Sequence, residues 1–266
     1  MSSGYSKSLQ MKIVSVSKKT TSSIFEYLKS GAKIIPVLGL DFSQANLTFD
    51  DNIWLHRTKE DKPKIYLKII AKFIEAIKPL WTDYSLPFAF GCKAISGTNT
   101  SDCLALSGDY FNPFVKHDDL KTRYLKTVNK VEVSLPPNHC KIFETVSKFV
   151  DISSTSLSEH FFVHLHITPG LVEDYTELIK CIESTPVDQA CIHVIIRIKL
   201  ANLEEKDVDI RNLTRDLFTV QKRKRHFVSL YTINAYASDI EVDKLITKIF
   251  VQLIQNVEAY VDLTWK

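Results

Sequence analysis

Ile34-Ile35-Pro36-Val37-Leu38-Gly39-Leu40-Asp41-Phe42-Ser43-Gln44-Ala45-Asn46 is the stretch that decides the fold. Residues 34–40 carry no polar side chain. A run that is apolar on both faces, and too short for an ordinary helix, is the pattern of a fully buried parallel strand. The acid, hydroxyl and amide that follow stand at the C-terminal end of that strand, where open α/β sheets carry their ligand sites.

Outward from this run, strand and helix patterns alternate. Met1–Ser23 is rich in Ser, Lys and Thr and is expected to be a polar leader, with residues 11–17 able to pair as a short edge strand; residues 24–266 are expected to form one domain. Asp61-Lys62-Pro63 supplies a cap and an early-helix proline, and Ile69, Ile70, Phe73, Ile74 and Ile77 then recur at helical spacing up to Pro79. Leu86–Cys92 is predicted as a second buried strand, and Gly97–Ser107 as a turn with a short edge strand. Asp118–Val131 and Cys140–Val150 are predicted helices. Between them lies Leu135-Pro136-Pro137-Asn138, where the residue before a proline is pushed out of the α region.

A strand over Phe161–Thr168, a helix over Val172–Ser184 and a strand over Cys191–Leu200 follow. After the polar stretch Glu204–Arg225 come a last strand, Phe227–Ile233, and a closing helix, Asp239–Val261, with an apolar stripe through Leu245, Ile249, Leu253 and Val257. This alternation predicts an α/β domain with a doubly wound, mostly parallel sheet flanked by helices and joined by right-handed crossovers.

The bulk numbers narrow the function more than they define it. A chain of 266 residues can bury a substantial core, and a formal net charge of +3 is too small to demand a nucleic-acid or membrane partner. No apolar run is long enough to span a bilayer, and the N-terminus lacks the apolar core of a secretory signal. The five cysteines form no CxxC pair, so reduced thiols and a cytoplasmic setting are expected. Lys222-Arg223-Lys224-Arg225 is either a solvated loop or a patch for nuclear import or an acidic partner.

For catalysis the chain offers little. It has no phosphate-cradling loop, no GxSxG elbow and no HExxH, and with seven glycines a glycine-dependent cofactor loop is not expected. Ser153-Ser154-Thr155-Ser156 near His160 is better explained as a hydroxyl-rich loop than as a nucleophile with its base. Neither an enzyme nor a cofactor is expected.

Two strands carry an unusual polar side. His160, His164 and His166 share one side of the first, and Cys191, His193, Arg197 and Lys199 share one side of the next. Three arrangements fit: hydrogen-bonded histidines near the sheet margin, a partner groove on an incompletely covered face, or a zinc site of His164, His166, His193 and Cys191.

The stretch from Phe25 to Asn46 resembles the start of the von Willebrand factor A-like domain of copines, whose loop reads Asp-Phe-Thr/Ser-x-Ser-Asn. The likeness continues through Pro87-Phe88-Ala89-Phe90-Gly91, through Pro136-Pro137-Asn138 where the family has Pro-Thr-Asn, and through Phe161–Gly170, on a strand that ends Ile-Thr-Asp-Gly in the family. Val228-Ser229-Leu230 and the last helix match its close, so the likeness spans roughly residues 24–262.

Such domains typically hold Mg²⁺ or Mn²⁺ through hard oxygen ligands on three loops. By the resemblance Asp41 and Ser43 are kept, while Ala45, Pro137 and Pro169 stand where oxygen donors would be. A degenerate metal site is therefore expected, with Asp41 satisfied by its own loop and bracing it. The alternative is a residual site, in which Asp41, Ser43, Asp50 or Asp51 recruits a hydrated Mg²⁺. The resemblance implies a non-enzymatic, monomeric adaptor that binds a protein partner at a rim of Asp41, Ser43, Asn46, Pro137, Asn138, Thr168 and Pro169. In the family the domain usually follows calcium-dependent membrane-binding modules. The chain has no room for these, so calcium-triggered docking and direct membrane insertion are not expected.

Overall fold

The computed structural model describes residues 23–48, 53–56, 64–80, 82–94, 103–133, 138–154, 160–169, 175–186, 189–199 and 227–264. Ser23, the last residue of the expected leader, is the N-cap of helix α1 (Ile24–Lys29). It forms a reciprocal capping box with Glu26, which satisfies two amides that a helix start leaves bare. Strand β1 (Lys33–Asp41) follows and is buried at every position after Lys33.

The short antiparallel pair β2 (Leu47–Thr48) and β3 (Ile53–Trp54) leads to α2 (Ile65–Ile77), which buries Ile65, Tyr66, Ile69, Ile70, Phe73 and Ile77 along one stripe. Next come β4 (Tyr84–Phe90), β5 (Cys92–Ala94), β6 (Cys103–Ala105), β7 (Val115–Lys116), α3 (His117–Val128) and β8 (Val131–Val133). The second half contains α4 (His139–Ser154), β9 (His160–Thr168), α5 (Tyr175–Ser184), β10 (Cys191–Lys199), β11 (Val228–Asn234) and α6 (Asp239–Thr264).

Among the described residues the main sheet runs β11-β10-β9-β1-β4-β6, with β7 also paired to β4. β11, β10, β9, β1 and β4 are parallel, and β6 and β7 run antiparallel along the outer edge of β4. This is the doubly wound, mostly parallel sheet that the alternation predicts. From β1 the chain moves outward to β4, whereas from β9 it moves the opposite way to β10 and β11. Right-handed crossovers then place α2 and α5 on opposite faces. α2 and α1 both pack against α6, and α4 packs against α5 and β9. The order of strands reverses between β1 and β9, so the crevice at their C-terminal ends is the topological switch point.

Three expectations are corrected. The second buried strand ends at Phe90, because Gly91 adopts φ +71 and turns the chain; Cys92 then starts β5, which pairs with β8 instead of extending β4. The helix predicted to reach Val131 stops at Val128, and Val131 begins β8. The histidine-bearing face is not open: His164 and His166 are wholly buried, and His193 is nearly so. The possible edge strand at 11–17, the cap at Asp61–Pro63, Asp50 and Asp51, Leu135–Pro137, and the basic run Lys222–Arg225 all lie outside the described residues.

Candidate functional site

β1 delivers Asp41 to the switch point, and β9 delivers Thr168 beside it. Asp41, Ser43, Asn46 and Thr168 are all fully buried. A carboxylate taken out of water needs donors, and here the chain supplies them. Asp41 Oδ1 accepts from the Ser43 amide at 2.7 Å and from Asn46 Nδ2 at 3.2 Å, and Asp41 Oδ2 accepts from Thr168 Oγ1 at 2.5 Å. The last of these bonds ties the ends of the two strands together across the crevice. Burial still pushes the Asp41 carboxyl above its ordinary range, opposed by His139 and by the hydrogen bonds from Ser43 and Thr168.

The main-chain carbonyl of Asp41 is held as firmly. It accepts from Asn46 Nδ2 at 2.7 Å and from His56 Nε2 at 2.7 Å, and Tyr66 Oη lies 3.1 Å away with its one proton shared with Asn46 Oδ1 at 2.7 Å. A carbonyl only accepts, so His56 carries its proton on Nε2, and its Nδ1 takes the Tyr124 hydroxyl proton at 2.7 Å. The ring of His56 is stacked between Phe42, with centroids 3.9 Å apart, and Tyr66, at 4.1 Å. Burial in this aromatic slot pulls the His56 imidazole down to about 3. His56 is neutral and structural.

Gly91 fits the same architecture. A Cβ there would lie 2.6 Å from Ser43 Cβ, and the backbone is left-handed. Gly91→Ala is expected to cost about 2–4 kcal/mol, from the strained backbone and the overpacking together. Chemical denaturation of the two proteins side by side measures it.

The second polar cluster lies one layer deeper, under α4. His139 Nδ1 meets His166 Nε2 at 2.9 Å, and His164 Nδ1 meets His193 Nδ1 at 2.9 Å. Phe90 stacks on His166 and Phe143 on His193. Cys191 Sγ lies 4.0 Å from His193 Nε2. His164 Nε2 and His166 Nδ1 have no partner among the described residues and point at Gly39, where a Cβ would stand 2.8 Å and 3.2 Å from them. The least costly tautomer of His164 therefore places its proton on Nδ1, paired with His193, and leaves a bare lone pair over Gly39. Among the described residues no group of three or more His, Cys, Asp or Glu side chains is placed to hold a metal ion. Of the histidines expected as zinc ligands, His164 and His193 bond to each other and His166 bonds to His139.

Of the expected rim, Asp41, Ser43, Asn46, Thr168 and Pro169 are inside the protein and Asn138 is exposed; Pro137 lies outside the described residues. Asn138 caps α4 by accepting from the Lys141 amide at 3.1 Å. Gln44 and Leu47 are the exposed side chains of the Asp41 loop. His56, Tyr66, Tyr124 and His139 complete the buried assembly and were not anticipated from sequence. Tyr66 alone carried a signal, its place on the buried stripe of α2.

The fold and this crevice define an α/β domain of the doubly wound, Rossmann-like class. The sequence profile of the copine family matches residues 54–263, and the chain belongs to that family. β1 and the Asp41 loop precede the matched residues. Among the described residues no helix is long and apolar enough to cross a membrane.

Proposed function

We propose that the chain is a non-enzymatic protein-binding domain of the copine, von Willebrand A-like type, and that it works without a divalent cation. The observation that carries this proposal is the occupation of the Asp41 carboxylate by Ser43, Asn46 and Thr168. The donor set argues against Mg²⁺, which needs near-octahedral oxygen coordination. Ala45 and Pro169 offer no side-chain oxygen, the Thr168 hydroxyl is turned to donate to Asp41, and Ser43 Oγ accepts from the Ala45 amide at 3.3 Å. Family membership supports a protein partner, and a cytoplasmic, monomeric domain is part of the same proposal.

The proposed partner surface is Asn138 of the rim together with Gln44 and Leu47, the exposed side chains of the Asp41 loop. A photo-crosslinking residue at Asn138 is expected to capture the same partner in EDTA and in Mg²⁺. The same residue at Lys33, exposed at the opposite end of β1, is expected to capture none. Capture that requires Mg²⁺, or that is equal from both positions, contradicts the proposal.

A further inference from the structure

A cleft between α2, α3 and the start of α6 is lined by none of the Asp41 loop's residues and borders the buried assembly at Tyr124. Its volume is about 420 Å³, within the span of about 300–1,000 Å³ typical of ligand clefts. The floor is apolar. Leu67 and Ile74 of α2 are half-buried against the core, Leu120 and Val242 close it from below, and Ala71 leaves a trough between them.

Four of the five charged side chains that line the cleft are lysines: Lys64, Lys68, Lys72 and Lys121, against Asp239. Lys68 pairs with Asp239 at 2.8 Å and Lys72 with Asp243 at 3.0 Å, which fastens α2 to α6. Lys64 and Lys121 are exposed, and among the described residues neither makes an ion pair. Leu67, Ala71 and Ile74 follow helical spacing along α2, and Lys64, Lys68 and Lys72 form a parallel row beside them. An apolar trough with a lysine row at its edge is complementary to a helix that carries one apolar stripe and an acidic flank. A second copy of this chain, at a formal net charge of +3, matches the lysine rim poorly.

We propose that this cleft receives an acidic amphipathic helix of a partner protein. It rests on the chain being a protein-binding domain, and it locates a surface separate from the rim. The Leu67–Ala71–Ile74 trough takes the apolar stripe, and Lys64 and Lys121 take carboxylates at its two flanks.

The test uses the full chain and a fluorescein-labelled synthetic peptide of about four helical turns. The peptide has leucine at i, i+3, i+4 and i+7 and glutamate on the flanks, and a twin carries lysine for glutamate. Saturable anisotropy is expected for the glutamate peptide, weakening with salt, and binding about tenfold weaker or less for the twin. Lys64→Glu with Lys121→Glu is expected to weaken it about tenfold, and Ala71→Trp to abolish it. These positions are exposed, so the thermal transition is expected to stay at its wild-type value. Lys121→Ala, a milder change expected to cost roughly threefold, keeps the test open if the reversals disturb folding. Equal binding of both peptides, no binding, or indifference to the variants overturns the proposal. Dodecanoate filling the cleft while the peptide stays free does so as well, in favour of a small-amphiphile site. Rim capture from Asn138 is read on the same preparations; if it persists when the peptide fails, the cleft alone is struck out.

Discussion

Asp41→Ala is expected to destabilise the protein by about 2–5 kcal/mol, whereas Asp41→Asn changes stability by about 1 kcal/mol or less at neutral pH. The alanine removes the acceptor for the Ser43 amide and the Thr168 hydroxyl, both inside the protein. Buried donors left bare cost about 1–3 kcal/mol each. The asparagine keeps a carbonyl for Ser43, and its amide donates to a reversed Thr168 hydroxyl, while an expensive buried charge disappears. In thermal unfolding the alanine variant is expected to melt roughly 5–15 °C lower. If a cation held the loop through the carboxylate, both substitutions would remove it, and the two variants would melt alike. Their separation is thus a signature of internal closure.

The second large effect is acid sensitivity. Burial lowers the His56 imidazole to about 3 and pushes His164 and His166 well below the ordinary histidine range, with His193 adding to the shift at both of the latter. In the unfolded chain each returns to about 6.5. The contribution of these groups is therefore fully present above about pH 6.5 and is lost as the pH falls toward their folded values. Three protons taken up only on unfolding lower stability by up to about 4 kcal/mol per pH unit below that point. Asp41 works in the opposite direction. Its raised value means that the folded state holds a proton the unfolded state releases, so acid favours folding through that group. One such proton against three leaves a net slope of about 3 kcal/mol per unit where Asp41 titrates. Urea midpoints across pH 7.5 to about 5 measure the slope. It is expected to fall by close to one proton in His56→Gln, and a flat profile contradicts the neutral buried assignment.

The sequence disclosed the frame more readily than the lock. Residues 34–40 could only be a strand covered on both faces, and the stripe of α6 could only be a helix lying on the sheet, because period and length leave no other way to bury them. The likeness through Phe161–Thr168 placed Asp41 and Thr168 at the same end of the sheet. Their hydrogen bond was out of reach, since it depends on the order β9-β1 and on the register that pairs Leu40 with Ile167. His56 was invisible for a similar reason. It sits in a short turn with no periodicity, and only the packing of Phe42 and Tyr66 around it gives it a role. The polar sides of β9 and β10 suggested an uncovered face, because sequence shows residue types and not pairings. Two imidazoles that hydrogen-bond each other can be buried where either alone could not. Gly91 ended a strand that its neighbours would have continued, because its left-handed backbone and the approach of Ser43 leave no space for a side chain.

Closure of the switch point by the chain's own hydrogen bonds is tested most directly by calorimetric titration of Mn²⁺ and Mg²⁺ into the full, EDTA-stripped protein. No saturable heat is expected into the millimolar range, for the wild-type chain and for Asp41→Asn alike. A one-to-one isotherm in the wild type that vanishes in Asp41→Asn would place a cation on that carboxylate and contradict the internally closed crevice.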